Sequence, residues 1–315
     1  MPLPLRWRWK LDRLRENVAW FFGGKKAEGR PRLCPSCGTL VGASASRCHQ
    51  CGASMTFSLA AASKSLGRLM PTTSPVTYAI LTLSCLFYAV TLMLTVRANG
   101  FQAPTGGGFG ALFQFGGIDG NVLIRFGGSL PLLYNLLQPW RLVMAIFLHA
   151  SLLHIGFNMW VLMDVGPLVE EVYGSARYLF IYVATGICGY ILSSSVRHHG
   201  LSVGGSGALL GLIGVLLALT RGRQNASLQM LRGSLIRWLI YIAIMGFLGW
   251  GMIDNFAHIG GALSGYLIGS VLPSREPVDL HDRRVANAMG WGAGIAVAVS
   301  FALMALTYFH PAWIL

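Results

Sequence analysis

The chain has 315 residues, of which 54% are hydrophobic and only 11% charged, with a mean hydropathy of +0.58 and a formal net charge of +13. Soluble domains carry roughly 25% charged residues, so this composition excludes an ordinary water-soluble enzyme and points to a multi-pass membrane protein. The basic excess is expected to meet anionic lipid. No basic domain apart from the membrane accounts for it, so no nucleic-acid partner is expected.

Residues 1–30 open with MPLPLRWRWKLDRLRENVAWFF, in which cations alternate with tryptophan and leucine. On a helix this makes a basic amphipathic strip suited to a membrane surface; a disordered basic tail is the alternative. The stretch is too basic to read as a cleavable signal peptide. Residues 31–55 hold Cys34, Cys37, Cys48 and Cys51, two Cys-x-x-Cys pairs in which Gly38 and Gly52 follow the second cysteines. Each pair can present two thiolates from one tight turn, and two turns close a tetrahedron around Zn²⁺. The module is similar to a small zinc ribbon with a structural zinc. Disulfides are the alternative, disfavoured in a reducing compartment. His49, inside the second pair, is expected to be a bystander. The module would recruit a cytoplasmic partner, dimerise or cap the N-terminus, and its spacing does not choose among these. Residues 56–75 read as a linker.

A bilayer core needs about 20 apolar residues per helix. Seven stretches qualify as candidates: about 77–96, 143–163, 178–196, 204–220, 238–253, 256–272 and 287–309. Of the 24 Lys and Arg residues, 12 precede the first stretch; Arg221, Arg223, Arg232 and Arg237 follow the fourth, and Arg275, Arg283 and Arg284 the sixth. The positive-inside rule then places the N-terminus in the cytoplasm, and small loops fit the inner membrane of a bacterium. The glycine-rich loop 97–141 contains apolar runs and is expected to rest in the membrane interface. A polar connector, 274–286, leads to the last span and tail, 287–315. Cys85 and Cys188 lie within spans and read as inert packing residues.

Ionisable and polar groups inside spans are costly and read first as functional. His149, His154 and Asn158 lie in the second stretch, Ser206 in the fourth, and Asp254, Asn255 and His258 at the start of the sixth. Ser206 stands 15 residues before Arg221, or roughly 22 Å of helix against a core of about 30 Å. His258 and His154 count back to a similar depth. Gly207 and Gly211 recur every fourth residue beside the serine, as do Gly261, Gly265 and Gly269 beside His258. Such faces let two helix backbones approach closely, which a serine–imidazole proton transfer at about 2.6–3.2 Å requires. His154 and Asn158, four apart, share a helix face and are placed to donate to an oxyanion together with the Ser206 backbone N–H. His149, five before His154, points elsewhere and reads as structural. The soluble-hydrolase elbow Gly-x-Ser-x-Gly fails, because Ala208 stands where its last glycine is needed.

GGSG at 204–207, HASLLHIGFN at 149–158, AHIGGALSG at 257–265 and the pair Trp140-Arg141 together resemble the rhomboid intramembrane serine proteases over about residues 76–273. The resemblance implies an all-α polytopic protein with a rhomboid-like six-helix core, a seventh C-terminal span and no catalytic cofactor. It implies Ser206 as nucleophile and His258 as base, with His154 and Asn158 at the oxyanion. Transmembrane protein segments would be the substrates, admitted between spans two and five past Phe157, Phe247 and Trp250. Leu210 departs from the pattern: relatives often carry an aromatic there that stacks on the histidine. A catalytically weak relative that binds membrane segments is therefore a rival reading, and a small transporter using histidines as proton relays is another. With no buried acid assigned, Asp254 and Asn255 are the candidates for orienting His258.

Overall fold

The computed structural model describes residues 32–33, 39–42, 45–50, 74–100, 114–197, 200–222, 225–248, 253–274 and 280–309. The chain divides into two units, Met1–Pro71 and Thr72–Leu315. In the first, β1 (Arg32–Leu33) pairs antiparallel with β2 (Leu40–Val41), Arg32 opposite Val41 and Leu33 opposite Leu40. This two-stranded hairpin brackets the first Cys-x-x-Cys pair. Val41 and Cys48 form a small buried core, and the Gln50 backbone N–H reaches the Cys48 thiol sulfur at 3.4 Å. Cys34, Cys37 and Cys51 lie outside the described residues, as do the basic segment 1–30, residues 56–73 of the expected linker and residues 275–279 of the connector.

The second unit is helical: α1 (Pro75–Asn99), α2 (Gly120–Arg125), α3 (Leu132–Leu137), α4 (Trp140–Phe147), α5 (Leu152–Tyr173), α6 (Ser175–Val196), α7 (Ser206–Leu219), α8 (Ala226–Leu248), α9 (Asn255–Val271) and α10 (Leu280–Phe309). Among the described residues, α1, α5, α6, α8 and α10 are long and apolar enough to cross a bilayer, and α7 is a shorter apolar helix. The chain is an integral, multi-pass membrane protein.

Three expected spans are redrawn, the last because α10 begins at Leu280, so residues 280–286 of the expected connector are its first turns. The stretch 143–163 is two helices, because Leu148 is extended and Ser151 opens a new helix by accepting the His154 backbone N–H at its hydroxyl. A serine cap of this kind starts a helix within an apolar run, where hydropathy cannot mark the boundary. The span expected at 238–253 begins at Ala226, so Arg232 and Arg237 lie on α8 and not in a connecting loop. Their long side chains can ride on the helix while their charges leave the apolar layer. Cys85 and Cys188 are exposed on α1 and α6 and do not pack between helices as expected.

The expected interfacial loop contains α2, α3 and the first residues of α4, with Leu133, Leu136 and Leu137 exposed along α3. Helix α5 is tied to the start of α1 by Glu170, whose buried carboxylate accepts from the Val76 and Thr77 N–H groups, the Thr77 hydroxyl and the Ser175 hydroxyl. A carboxylate at a helix N-terminus satisfies the first unpaired N–H groups and complements the dipole. The core runs through α4, α5, α6 and α7, and α7 is buried on every side. Helix α10 presents Ala286, Ala293, Ser300 and Thr307 to the bundle at seven-residue spacing, and its Phe301 meets Phe87 and Phe147 edge-on.

Candidate active site

The approach of α7 to α9 is set by glycine. A Cβ at Gly261 would overlap the carbonyl oxygen of Gly207, and one at Gly265 that of Gly211. At Gly269 the clash would be with Val215 Cα, 2.8 Å away, and Gly214, which the sequence pattern did not single out, would strike the Ala262 carbonyl. These are backbone-to-backbone contacts, so no rotamer change relieves them. Across this seam Ser206 Oγ lies 2.8 Å from His258 Nε2. Ser206 is the first residue of α7, where its backbone N–H has no intrahelical acceptor. His258 lies in the first turn of α9 and is 9% exposed. Among the described residues, no carboxylate or carbonyl hydrogen-bonds the His258 ring.

The segment before the serine is held from beneath. Gly204, at φ +130°, donates its N–H to the Ala145 carbonyl, and its own carbonyl accepts from the Tyr190 hydroxyl at 2.7 Å. That φ suits glycine alone, and a Cβ there would meet His154 Nε2 at 2.6 Å. Close approach of His154 to the backbone beside Ser206 is therefore a second reason for glycine at 204. Tyr190, on α6, is a positioning group that the sequence did not reveal, since a buried tyrosine in an apolar helix reads as packing.

His154 sits in the first turn of α5, its Nδ1 facing the Ala150 N–H at 3.4 Å. Asn158, one turn on, donates from Nδ2 to the His154 carbonyl at 2.8 Å, and its Oδ1 is buried with no partner among the described residues. The amide NH₂ carries a second N–H, so donor capacity remains beside the cavity. His149 is not turned away as expected: its ring stands edge-on to His154, centroids 5.1 Å apart. The helix begins only at Leu152, so a helical five-residue offset does not describe residue 149.

A cavity of about 230 Å³ opens onto Ser206 and His258, lined also by His154, Asn158, Tyr190, Arg197, Ser202, Leu210, Met245 and Asp254. Leu210, one turn along α7 from the serine, thus faces the same space. Neither expected orienting residue bonds the His258 ring. Asn255 donates to the Gly246 carbonyl on α8, and Asp254 caps α9 by accepting the Ala257 N–H. Between α5 and α8, Phe157 and Trp160 both lie edge-on to Trp238, and Trp238 donates to Asp164 at 2.6 Å. Of the three residues expected at this opening, Phe157 is in that cluster, Phe247 is exposed on α8, and Trp250 lies outside the described residues.

Residues 136–275 match the Rhomboid domain. The chain is 34% identical over 192 residues to Rhomboid-like protease 1 of Toxoplasma gondii, covering 60% of this chain and 64% of that protein. It is 39% identical over 180 residues to RHOMBOID-like protein 6, mitochondrial, of Arabidopsis thaliana, covering 56% and 53%. With Rhomboid protease GluP of Bacillus subtilis it shares 36% over 159 residues, covering 50% and 31%. The matched region thus spans between about a third and two thirds of these relatives' lengths. Together these similarities support the rhomboid family.

Proposed function

We propose that the protein is a rhomboid intramembrane serine endopeptidase that cleaves transmembrane segments with Ser206 as nucleophile and His258 as base. The observation that carries this reading is the 2.8 Å contact between Ser206 Oγ and His258 Nε2 at the glycine-lined seam. Its support is the Rhomboid domain over the residues that hold both groups.

Neutral His258 takes the serine proton as Oγ attacks a peptide carbonyl. The carbonyl oxygen becomes an oxyanion held by the Ser206 backbone N–H, the second N–H of Asn158 and His154. Collapse breaks the C–N bond, and His258 gives its proton to the leaving amine. Water then attacks the acyl ester, losing a proton to His258, which returns it to Ser206 as the new carboxylate departs. No metal takes part. A membrane-spanning substrate has its backbone bonded internally and must unwind before its carbonyl can enter the cavity. Segments with small or helix-breaking residues are therefore the expected substrates, reaching the site between α5 and α8 past Phe157 and Trp238. The architecture is six helices (α1, α5, α6, α7, α8 and α9) plus α10 as a seventh, with the N-terminus in the cytoplasm.

Leu210 favours a second reading, a weakly active relative that binds membrane segments, because it leaves the imidazole without an aromatic neighbour on α7. The experiment is covalent labelling by a serine-directed phosphonate together with cleavage of a transmembrane reporter. The endopeptidase reading expects both in the wild type and neither in Ser206→Ala. Wild-type protein that is neither labelled nor active would end it.

For the N-terminal unit we propose a structural Zn²⁺ held by Cys34, Cys37, Cys48 and Cys51. Cys48 is buried and its sulfur faces the N–H of the second residue on, inside a turn, which fits a thiolate ligand. Cys34 and Cys37 fall in sequence between the paired strands β1 and β2, the spacing that a two-cysteine ligand pair needs.

A further inference from the structure

Asp254 receives more donors than a helix cap requires. Its Oδ1 accepts the Ala257 N–H, and its Oδ2 accepts from the Ser193 hydroxyl of α6 and the Ser202 hydroxyl of the segment leading to Ser206. Arg197, just past α6, adds an ion pair at 3.3 Å. The Asp254 side chain is 10% exposed. Burying a carboxylate costs several kcal/mol unless it is fully paired, whereas serine or asparagine caps a helix about as well without that cost. Capping alone therefore does not account for an acid here.

The spacing says what else it does. Ser202 is four residues before Ser206, and Asp254 is four before His258. The Ser202–Asp254 bond thus joins the extended segment that leads into α7 to the residue that caps α9, while the Ser206–His258 contact joins the first turns of the same two helices. Ser202 is itself immobilised, since its N–H and carbonyl both pair with Ser129 at 2.9 Å, and Ser129 Oγ accepts from Asn135 Nδ2. On the other side, the His258 N–H bonds the Asp254 carbonyl at 3.2 Å, so residue 254 and the imidazole belong to one helical turn. Because among the described residues no acid or carbonyl bonds the ring, its place depends on where that turn is held.

We propose that Asp254 is a positioning residue for the Ser206–His258 pair: its carboxylate clamps the first turn of α9 to Ser202 and to the end of α6. The inference rests on the endopeptidase reading and acts through backbone placement, since Asp254 touches neither reacting atom. The test uses detergent-solubilised full-length protein, with phosphonate labelling followed in time so that amplitude reports folded enzyme and rate reports alignment. Asp254→Asn keeps the cap but removes the charge that holds two hydroxyls and Arg197. It should label at least tenfold more slowly at near wild-type amplitude, with kcat on a transmembrane reporter falling in step and KM within twofold. Ser202→Ala, which removes one hydroxyl, should slow labelling in the same sense, and the double variant should be no slower than Asp254→Asn. Wild-type labelling rates in Asp254→Asn, or in Ser202→Ala should the first fail to accumulate, would overturn the proposal and leave the endopeptidase reading standing. Absence of labelling in the wild type would overturn both.

Discussion

An alanine at position 261 adds one methyl group where the Gly207 carbonyl already sits, so α7 and α9 must part by at least about an ångström to restore van der Waals contact. Neither helix can rotate to absorb this, because Gly265 meets Gly211 and Gly214 meets Ala262 along the same line. Moving the helices apart by that amount takes the Ser206–His258 separation from 2.8 Å to about 3.8 Å, beyond the reach of proton transfer. A misplacement of 1 Å costs on the order of 10²-fold in rate. Gly261→Ala is therefore expected to lower kcat on a transmembrane reporter about 10²-fold, and phosphonate labelling with it. Two neighbours calibrate the effect. A Cβ at Gly207 would lie 3.1 Å from the Ala257 carbonyl, a squeeze of a few tenths of an ångström, so Gly207→Ala should lose less. One at Gly292, on α10, meets nothing within 4 Å, so Gly292→Ala should behave as wild type. Gly261→Ala with full activity would show that the seam does not set the catalytic distance.

Asn158→Ala should lower kcat about 10²–10³-fold with little change in KM, as loss of one oxyanion donor does; equal changes in both would assign Asn158 to ground-state binding. Glu170→Ala strips acceptors from the Val76 and Thr77 N–H groups and the Thr77 and Ser175 hydroxyls. At about 1–3 kcal/mol for each buried group left unpaired, it should lower the thermal midpoint by several degrees while the labelling rate of the folded fraction stays unchanged. Elemental analysis of purified full-length protein should find one zinc per chain, lost in Cys48→Ser, with reporter cleavage retained. A wild-type chain without zinc would refute the metal assignment.

Much of this site is legible in one dimension because lipid removes alternatives. An alcohol and an imidazole in apolar helices stand out, and glycines at four-residue spacing announce where two backbones touch. The seams Gly207–Gly261 and Gly211–Gly265 follow from that spacing. Helix boundaries are less legible where the sequence is uniformly apolar: the break at 148–151 depends on one serine cap, and the early start of α8 on arginines that hydropathy counts as loop. Composition and spacing suffice for the membrane class, the apolar helices and the residues with chemistry to offer. What those residues touch depends on how the helices pack. That packing set His149 against His154, turned Asp254 from the imidazole toward Ser193 and Ser202, and brought Tyr190 under Gly204. The physical reason is that polarity and period act through neighbours in the chain, whereas a hydrogen bond between residues 52 apart exists only once helices have packed.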